Sequence, residues 1–599
     1  MSTASPTLSN AAGLSESLET IDQVLEARAK DTPNKVHIYL RRDDWSVRAI
    51  TFSELRSTSL AVAQGLAAQG VDRGQTVALM LPTSEEFFFA FLGILLAGGV
   101  PVPIYPPVRA DRIEEYAQRQ TAILANAEVG LLVTFREAKT LANLLRPGVP
   151  TLRSVTTLNT LIGARGELPR QHLESNDIAL IQYTSGSTGE PKGVVLTHAN
   201  LMSNVRAIGW GVEVRPDDVP VCWLPLYHDM GLIGCWLFSL YFGLAIAVTS
   251  PLLFLRRPER WLRLIHEHRG TLSPAPNFAY ELCVRKVDAK DLAGLDLSSW
   301  RVALNGAEPV MPETLRRFTE RFRPYGFRPE ALMPVYGLAE CTVALSFAAL
   351  GQAPKIDAIA REPFLREQCA VPVSASDGRP LRFVSVGRPL LGHEAKIVDA
   401  EGRPLEERRE GRLFFRGPSA MVGYYRNLEA TCAISCDGWY DSGDLAYQAD
   451  GELYITGRSK DLIIKAGRNI YPHELEETAG EVDGIRKGCV AAFGVRDPEH
   501  GTERIVVVAE TRETTPSARK HLHARVLREL SHTGHPPDEL VLVPPQTIPK
   551  TPSGKLRRDA TRQLYLAGEL TRSRAPAWWQ LTRLLLRAWL RRSPARRSP

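Results

Sequence analysis

The chain has 599 residues, of which 44% are hydrophobic and 23% charged. These proportions are typical of a globular protein and exclude disorder, collagen-like repeats or a coiled coil as the main architecture. The eight cysteines form no CxxC pair, so free thiols in a reducing, cytoplasmic compartment are expected rather than a zinc site. The net charge of the chain is +6. Residues 571–599 contain eight arginines and no acidic residue, so the other 570 residues have a net charge of −2. A body without excess positive charge does not suggest a nucleic-acid enzyme.

The N-terminal part of the chain alternates between strand and helix patterns. A capping box at Thr51–Glu54 predicts the start of a helix that ends near Gly70. A strand at Thr76–Leu81, a helix at Glu85–Leu96 and a strand at Val100–Tyr105 are expected next. Further strands are predicted at Gly130–Phe135, Ile178–Thr184 and Arg301–Leu304. This succession indicates an α/β fold with mostly parallel sheets covered by helices.

Residues 231–255 carry no charge and are long enough to span a bilayer. Gly243 and Pro251 divide the stretch, however, into a buried helix at Leu232–Phe242 and a buried strand at Leu244–Thr249. The first 20 residues lack the basic start and apolar run of a secretory signal. We therefore expect a protein that does not cross the membrane.

The pattern changes near residue 458. Gly411–Arg416 and Glu452–Thr456 predict short strands joined by tight turns, whereas charged helices alternate after residue 458 with strands such as Cys489–Phe493 and Ile505–Glu510. We therefore expect a large domain over residues 20–458, a small mobile α+β domain over 459–570 and a basic tail over 571–599.

The segment Tyr183–Gly193, YTSGSTGEPKG, directly follows the apolar strand. A glycine-rich loop that leaves a strand can direct several backbone N–H groups at phosphate oxygens. Hydroxyl groups and the ammonium group of Lys192 add further donors, and the spacing is not that of a Walker A loop. A single Gly-Ser loop would be a flexible turn in most proteins, but a match of eleven residues at a strand end favours phosphate binding.

The loop is one of a series of motifs. The others, in chain order, are WLPLYHDMGLIG (223–234), NGAEPV (305–310), VYGLAECT (335–342), GRLFFRGPSAMVGYY (411–425), DGWYDSGDL (437–445), GRSKDLIIKAGRNIYPHELE (457–476) and PKTPSGKLRR (549–558). With this series the chain resembles the adenylate-forming, AMP-binding superfamily over roughly residues 20–570, and most of all the fatty acyl-AMP ligases. The resemblance implies that a carboxylate attacks the α-phosphate of ATP, releasing pyrophosphate, and that an acceptor then displaces AMP.

The resemblance also implies a role for individual residues, with ATP and Mg²⁺ as cofactors. It places Lys555 and His228 in catalysis, Lys460 at the hinge between the domains, and Glu340 on the metal ion. The remaining roles are phosphate binding by Thr184, Ser185, Gly186, Ser187, Thr188, Gly189 and Lys192; adenine binding by Gly306, Ala307, Glu308 and Tyr336; ribose binding by Asp444 and Arg458; and an acyl pocket of Met230, Trp236 and Phe278.

Each of these residues also has a structural interpretation. Glu340, Asp444 or Lys555 alone would be a solvated side chain or a cap in most proteins, and His228 a buried histidine with its hydrogen bonds satisfied. The apolar residues are at least as well explained by core packing. Their joint occurrence in the motifs favours the catalytic interpretation for Lys555, Glu340 and Asp444, whereas that of His228 stays open.

Three features resemble fatty acyl-AMP ligases more than acyl-CoA synthetases. They are the motif YHDMG, the segment SPAPNFAYEL (273–282) and an irregular stretch at residues 351–383, which is longer than a usual connection between two elements. In that branch an insertion of this kind is thought to impede the domain rotation used with CoA, and the acyl group passes to the phosphopantetheine of a carrier protein. We expect a medium- or long-chain fatty acid as substrate and a separate carrier protein as partner. A fatty acyl-CoA synthetase and a catalytically silent acyl- or nucleotide-binding protein are the alternatives.

The tail combines arginines with aromatic anchors. In residues 577–592, Trp578, Leu581, Leu585 and Trp589 recur at helical spacing, and arginines follow the same period. Such a helix is suited to an anionic membrane surface, which would place the protein at the inner membrane face. Docking on the protein's own body and a disordered end are the alternatives, and the tail also resembles the linker to a fused acyltransferase in some relatives.

Overall fold

The computed structural model describes residues 18–107, 112–164, 166–168, 171–184, 191–373, 380–465, 468–497, 502–551, 554–570, 580, 582 and 583. Ser185, Gly186, Ser187, Thr188 and Gly189, five of the predicted phosphate-binding residues, lie outside these residues. Most of the 571–599 tail lies outside them as well.

The predicted alternation of strand and helix is confirmed in the N-terminal part. Thr51 caps the helix Phe52–Ala68 by accepting the backbone N–H of Glu54. The next elements form a fully parallel four-stranded sheet with covering helices. Its strands in spatial order are Val100–Pro103, Thr76–Met80, Leu131–Thr134 and Ser154–Thr156, and its flanking helices are Glu85–Leu96, Ile113–Asn126, Lys139–Leu145 and Leu158–Gly163.

Two further sheets of the large domain contain both parallel and antiparallel pairs. The first consists, in order, of Val47–Thr51, Val36–Arg41, Ile246–Thr249 and Val221–Cys222, and only its first pair is antiparallel. The N-terminal helix Ile21–Asp31 packs against the helices Phe52–Ala68 and Phe238–Phe242. The second sheet consists of Leu272–Ala275, Val302–Asn305, Leu332–Tyr336, Ser346–Phe347 and Arg388–Pro389; its first three strands are parallel and its last two pairings are antiparallel. The associated helices are His198–Gly211, Phe238–Phe242, Pro251–Arg256, Glu259–His268, Asn277–Lys286 and Pro312–Phe322.

Two other sheets of the large domain, one of three strands and one of five, are antiparallel. In the three-stranded sheet, Ile178–Thr184 pairs antiparallel with Lys192–Thr197, the next strand along the chain. Gly423–Tyr424 completes that sheet. The other contains Glu394–Val398, Gly411–Arg416, Trp439–Ala449, Ser435–Cys436 and Glu452–Arg458, with the helix Leu428–Cys432 beside it.

The uncharged stretch 231–255 folds inside the large domain. It contains a π-helical turn at Leu232–Leu237, the short helix that ends at Phe242, and the strand Ile246–Thr249. Gly243 has a φ of 64°, which ends the helix in the left-handed region that glycine favours. None of the helices in the described ranges is both long and apolar enough to cross a bilayer.

An ion pair fixes the two strands that lead into the predicted site. Arg301 precedes the strand Val302–Asn305, and Asp218 precedes Val221–Cys222. The Nε of Arg301 donates to Asp218 Oδ1 over 2.9 Å, and its Nη1 donates to the Val212 carbonyl over 2.8 Å. Both side chains are almost fully buried, so removing either partner would leave an uncompensated charge in the core.

The C-terminal part has a hydrophobic core of its own. After Arg458 the chain makes a single 3₁₀ turn at Ser459–Asp461. The core residues that follow, from Ile463 to Leu542, pack on one another. Its sheet consists of Ile485–Asp497, Thr502–Thr511 and Glu539–Val543, beside a hairpin of Ile463–Lys465 and Arg468–Ile470 and the helices Pro472–Gly480, Pro516–Ser531 and Arg558–Leu566.

Candidate active site

A cavity of about 1710 Å³ lies where the two parts of the chain meet. Its wall combines strand ends of the large domain with the loop that carries Lys555. Most of the predicted residues line it: Thr184, Lys192, His228, Met230, Phe278, Ala307, Glu308, Tyr336, Glu340, Asp444, Arg458, Lys460 and Lys555. The fold thus brings together residues that are up to 371 positions apart.

The predicted ribose site consists of three residues from strands of two different sheets. Asp444 and Arg458 face each other in an antiparallel pair, and Tyr336 ends a strand of the sheet that contains Val302–Asn305. The Tyr336 hydroxyl donates to Asp444 Oδ2 over 2.6 Å, and Arg458 Nε lies 3.3 Å from Asp444 Oδ1. Burial raises the pKa of Asp444 above its ordinary value, while Arg458 and the Tyr336 hydroxyl oppose that shift. The result is a buried oxygen acceptor with a fixed orientation.

Gly306 does not line the cavity but brings its neighbours there. A Cβ atom at this position would lie 2.6 Å from the Val335 carbonyl oxygen, so only glycine lets the two strand ends approach so closely. Ala307 follows with a φ of 67°, in the left-handed region. The segment that follows the strand Val302–Asn305 therefore lies beside Tyr336. In the predicted adenine site, this segment and the Tyr336 ring would form the two walls.

The Glu308 side chain makes a contact that the sequence did not predict. Its Oε1 accepts the backbone N–H of Phe278 over 2.5 Å, in the first turn of the helix Asn277–Lys286. Burial raises the pKa of Glu308, and the Phe278 N–H and Lys555 oppose the shift. The carboxylate thus stabilises the N-terminus of a helix, and only the backbone of Glu308 is left to form the predicted adenine wall.

Glu340 lies beside a tyrosine that the sequence analysis did not single out. The Tyr424 hydroxyl donates to Glu340 Oε1 over 2.7 Å, and Lys192 Nζ lies 4.8 Å from the centre of the Tyr424 ring. Tyr424 comes from the GYY part of a motif and pairs with the strand that begins at Lys192. One carboxylate and one ammonium group therefore meet at the end of the phosphate loop.

This donor set fits Mg²⁺ held partly by substrate. Within the described ranges, no group of three or more His, Cys, Asp or Glu residues is arranged to hold a metal ion. Mg²⁺ is commonly bound by one or two carboxylates together with phosphate oxygens and water. Glu340, with an oxygen at the cavity wall, can supply such a carboxylate.

His228 is oriented by the residue that follows it. Its Nδ1 lies 2.6 Å from Asp229 Oδ1, which fixes the imidazole ring at the cavity wall. Burial raises the pKa of Asp229, but attraction to His228 and Lys555 outweighs it, so the pKa lies below its ordinary value. Asp229 stands in the YHDMG motif, and its pairing with His228 could have been proposed from that adjacency.

Lys555 reaches the cavity from the C-terminal part. Burial lowers the pKa of its ammonium group and Arg458 acts in the same direction, whereas Asp229, Glu308 and Asp444 oppose the shift. The lysine thus faces three carboxylates of the large domain.

Neighbouring residues hold the loop of Lys555 in place. Gly554 has a φ of 91°, and a Cβ atom there would lie 3.3 Å from the Phe278 ring. Arg558 donates to Asp461 Oδ2 over 2.8 Å and to both Glu476 oxygens over 2.7 Å, which ties the loop to the turn that contains Lys460. Lys460 itself is exposed at the outer edge of the cavity.

One of the three residues predicted for the acyl pocket does not line the apolar arm of the cavity. Met230 and Phe278 line this arm, together with Gly234, Cys235 and Phe238. Trp236 does not line it: the indole is fully buried and lies against Phe88 and Phe91, with ring centres 4.8 and 5.5 Å apart. The chain here follows a π-helical turn, so the residues at the cavity recur at 230, 234, 235 and 238 and position 236 falls on the opposite face.

The irregular stretch 351–383 contacts the C-terminal part. It contains the strand Ile356–Ile359, the helix Arg361–Glu367 and the start of the strand Leu381–Val384. The rings of Phe364 and Tyr471 stack with their centres 5.6 Å apart, and Arg361 Nη1 donates to Glu474 Oε2 over 3.0 Å. This segment, called the inserted segment below after the sequence prediction, thus contacts both parts of the chain at a place other than the turn Ser459–Asp461.

A buried carboxyl group lies at the same junction. Glu410 accepts the Tyr471 hydroxyl over 2.6 Å and also the Thr456 hydroxyl, and its backbone N–H donates to the Gln368 carbonyl. Burial raises the pKa of Glu410 to about 7, although both hydroxyl groups oppose the shift. Large domain, inserted segment and C-terminal part therefore meet at a group that titrates near neutral pH.

The chain is similar to known proteins over most of its length. The family model described as AMP-binding enzyme matches residues 25–425. JamA of Moorena producens, a medium-chain-fatty-acid–[acyl-carrier-protein] ligase, is 36% identical over 92% of this chain and 96% of its own. A Caulobacter vibrioides protein, provisionally named an acyl-CoA synthetase, is also 36% identical, over the same shares of the two chains.

A solved structure from a study of fatty acyl-adenylate ligases of E. coli and L. pneumophila is similar with a TM-score of 0.87 and 35% identity. It covers 92% of this chain and 99% of the other chain. The chain therefore belongs to the family of AMP-binding enzymes. The predicted family and its fold, a large α/β domain followed by a smaller C-terminal one, are confirmed.

The junction at Glu410 predicts a pH-dependent stability. The pKa of Glu410 is about 7 in the folded chain and 4.5 ordinarily, so the folded chain binds more protons between these values. This difference in pKa contributes roughly 3 kcal/mol to the free energy of unfolding. The contribution is fully present below pH 4.5 and is lost as the pH rises through 7. Glu410→Gln, which removes the charge and keeps an acceptor, should have a higher thermal midpoint than the unmodified protein at pH 8 but not at pH 5.

The matched control is Glu406→Gln, which removes an exposed carboxylate four positions earlier. It should leave the difference between pH 5 and pH 8 unchanged. If Glu410→Gln and the unmodified protein have the same thermal midpoint at pH 8 as well as at pH 5, the raised pKa of Glu410 is contradicted.

Proposed function

We propose that this AMP-binding enzyme activates a medium- or long-chain fatty acid as an acyl-adenylate, releases pyrophosphate, and passes the acyl group to the phosphopantetheine of a separate carrier protein. The observation that carries the proposal is the joint placement of Lys555, Asp444, Glu340 and His228 on one cavity with an apolar arm. The carrier-protein and acyl-adenylate chemistry in the names of JamA and of the solved ligases supports it.

The cavity has a polar and an apolar end. Asp444, with Arg458 beside it, accepts hydrogen bonds from the ribose hydroxyls, and Tyr336 packs against the adenine. Thr184 and Lys192, at the two ends of the glycine-serine loop, lie at the phosphate end with Glu340. Met230 and Phe278 bound the arm in which the alkyl chain lies, so the substrate carboxylate is presented near His228.

The activation step needs positive charge at phosphorus-bound oxygens. A substrate carboxylate oxygen forms a bond to the α-phosphorus, and the bond from that phosphorus to the bridging oxygen of pyrophosphate breaks with its electron pair. Lys555 neutralises charge on the carboxylate and the α-phosphate, and His228, held by Asp229, orients the carboxylate. Mg²⁺, when bound, neutralises phosphate charge, and Glu340 would hold it.

The second step requires the C-terminal part to move. We place the domain boundary at residue 458 and the hinge at Lys460, within the exposed 3₁₀ turn. Rotation there would withdraw Lys555 and admit an acceptor. The contacts of Phe364 and Arg361 with the C-terminal part oppose rotation and favour an acyl-AMP ligase over the alternative, an acyl-CoA synthetase.

A product assay tests the function directly. The protein is incubated with ATP, Mg²⁺ and labelled fatty acids of several lengths, with and without CoA. Acyl-adenylate should accumulate in both cases, and Lys555→Ala should lower its formation about 100- to 1,000-fold. The control Lys520→Ala, which removes an exposed lysine of the same domain, should leave the rate unchanged. Rapid conversion to acyl-CoA would identify a synthetase, and no adenylate with any acid would exclude the proposed activity.

The inserted segment has its own test. Arg361→Ala combined with Phe364→Leu weakens the bridge to the C-terminal part, so acyl-CoA should become detectable when CoA is supplied. The control Arg366→Ala changes an exposed arginine of the same helix, and with CoA it should form no acyl-CoA. If the double variant forms acyl-adenylate normally but no acyl-CoA, the segment does not restrict the rotation.

The basic tail is proposed to contact an anionic membrane surface from the cytoplasmic side. Within the described residues, Gln580 is buried and accepts the Glu114 backbone N–H over 3.3 Å, which favours the alternative of docking on the protein's own body. Co-sedimentation with anionic phospholipid vesicles separates the two. The full chain should pellet with the vesicles and a chain ending at residue 570 should not, whereas equal sedimentation would contradict membrane binding.

A further inference from the structure

An arginine lies on the buried face of a helix beside the cavity. The helix Ile113–Asn126 buries Tyr116, Gln120 and Ile123 at helical spacing. Arg119 falls on the same face, three residues after Tyr116, and its side chain lines the cavity. A guanidinium group in such a position costs desolvation energy unless an anion pairs with it.

The described surroundings of Arg119 do not provide that anion. Its Nη2 donates to the Thr184 carbonyl over a long 3.4 Å, and its Nε is buried without a hydrogen-bond partner. The neighbouring carboxylate, Glu115, is exposed and pairs with Arg557 at 3.0 Å. Burial lowers the pKa of Arg119; Tyr105 and Glu115 oppose this shift, and the charge of Arg557 adds to it. Two guanidinium groups from different parts of the chain are thus close enough to repel each other.

The position of this arginine pair indicates which anion fits. Thr184 is the last described residue before the glycine-serine loop, so Arg119 lies at the phosphate end of the cavity, away from the ribose site at Asp444. Arg557 follows Lys555 by two residues and also lines the cavity. The loop of Lys555 therefore carries a second cation toward Arg119.

We propose that Arg119 and Arg557, which come from different parts of the chain and both line the cavity, bind the terminal phosphates of ATP and then the pyrophosphate product. The inference rests on the proposed function. When the bond between the α-phosphorus and the bridging oxygen breaks, its electron pair stays on pyrophosphate, and guanidinium N–H donors stabilise that charge. Departure of pyrophosphate leaves Arg119 without this anion, while Arg557 keeps its ion pair with Glu115.

Direct binding of inorganic pyrophosphate tests this site without any fatty acid. Isothermal titration of the full chain should give a dissociation constant that Arg119→Ala raises about 10- to 100-fold, as for a lost charge-assisted contact. Arg119→Lys should recover part of the affinity, and AMP should bind all three proteins equally well. Arg136→Ala, which removes an exposed arginine of the same domain, is the matched control and should bind pyrophosphate normally.

Kinetics separate this inference from the proposed function. In fatty-acid-dependent ATP–pyrophosphate exchange, Arg119→Ala and Arg557→Ala should raise the KM for ATP and for pyrophosphate, without a change in the KM for the acid. Absence of exchange in the unmodified protein would refute the proposed function, while the titration would still decide on the arginines. Unchanged pyrophosphate binding in Arg119→Ala, or a defect confined to transfer to the carrier protein, would overturn the inference.

Discussion

The meeting of the Lys555 loop with the large domain is the constraint on which the cavity depends, because this loop forms part of the cavity wall. Asp229, Glu308 and Asp444 lie on three separate segments of the large domain, and each opposes the lowering of the Lys555 pKa by burial. Other contacts between the two parts, such as Lys487 with Glu281 at 3.2 Å, lie farther out and add to this central one.

The fold and much of the candidate site could be predicted because most motifs lie at strand ends. Where the strands are parallel, as for Gly306 and Tyr336, their carboxyl ends meet at one edge of a sheet, and residues far apart in sequence then share a cavity wall. The chain direction after the glycine-serine loop could not be predicted, because periodicity does not show whether the next strand returns antiparallel. The roles of the residues in that loop remain predictions.

Other departures have local physical causes. Trp236 was assigned to the acyl pocket because it belongs to an apolar segment, and apolar character alone does not distinguish a cavity wall from the core in which the indole packs. The motif around Glu308 indicated proximity to the nucleotide but not that its carboxylate would cap a helix. The sequence did not single out Tyr424, Glu410 or Arg119, because the contacts that distinguish each of them involve a residue distant in sequence. Asp229 is different, since it adjoins His228 and could have been recognised.

Phe278 belongs to two surfaces at once. One part of its ring lines the apolar arm of the cavity, and another part faces Gly554 in the loop of Lys555 so closely that a single methyl group would fill the gap. Its backbone N–H is in addition the donor that holds the Glu308 carboxylate. Enlarging this side chain would therefore narrow the cavity and displace the Lys555 loop at the same time, so the two surfaces cannot change independently at this position.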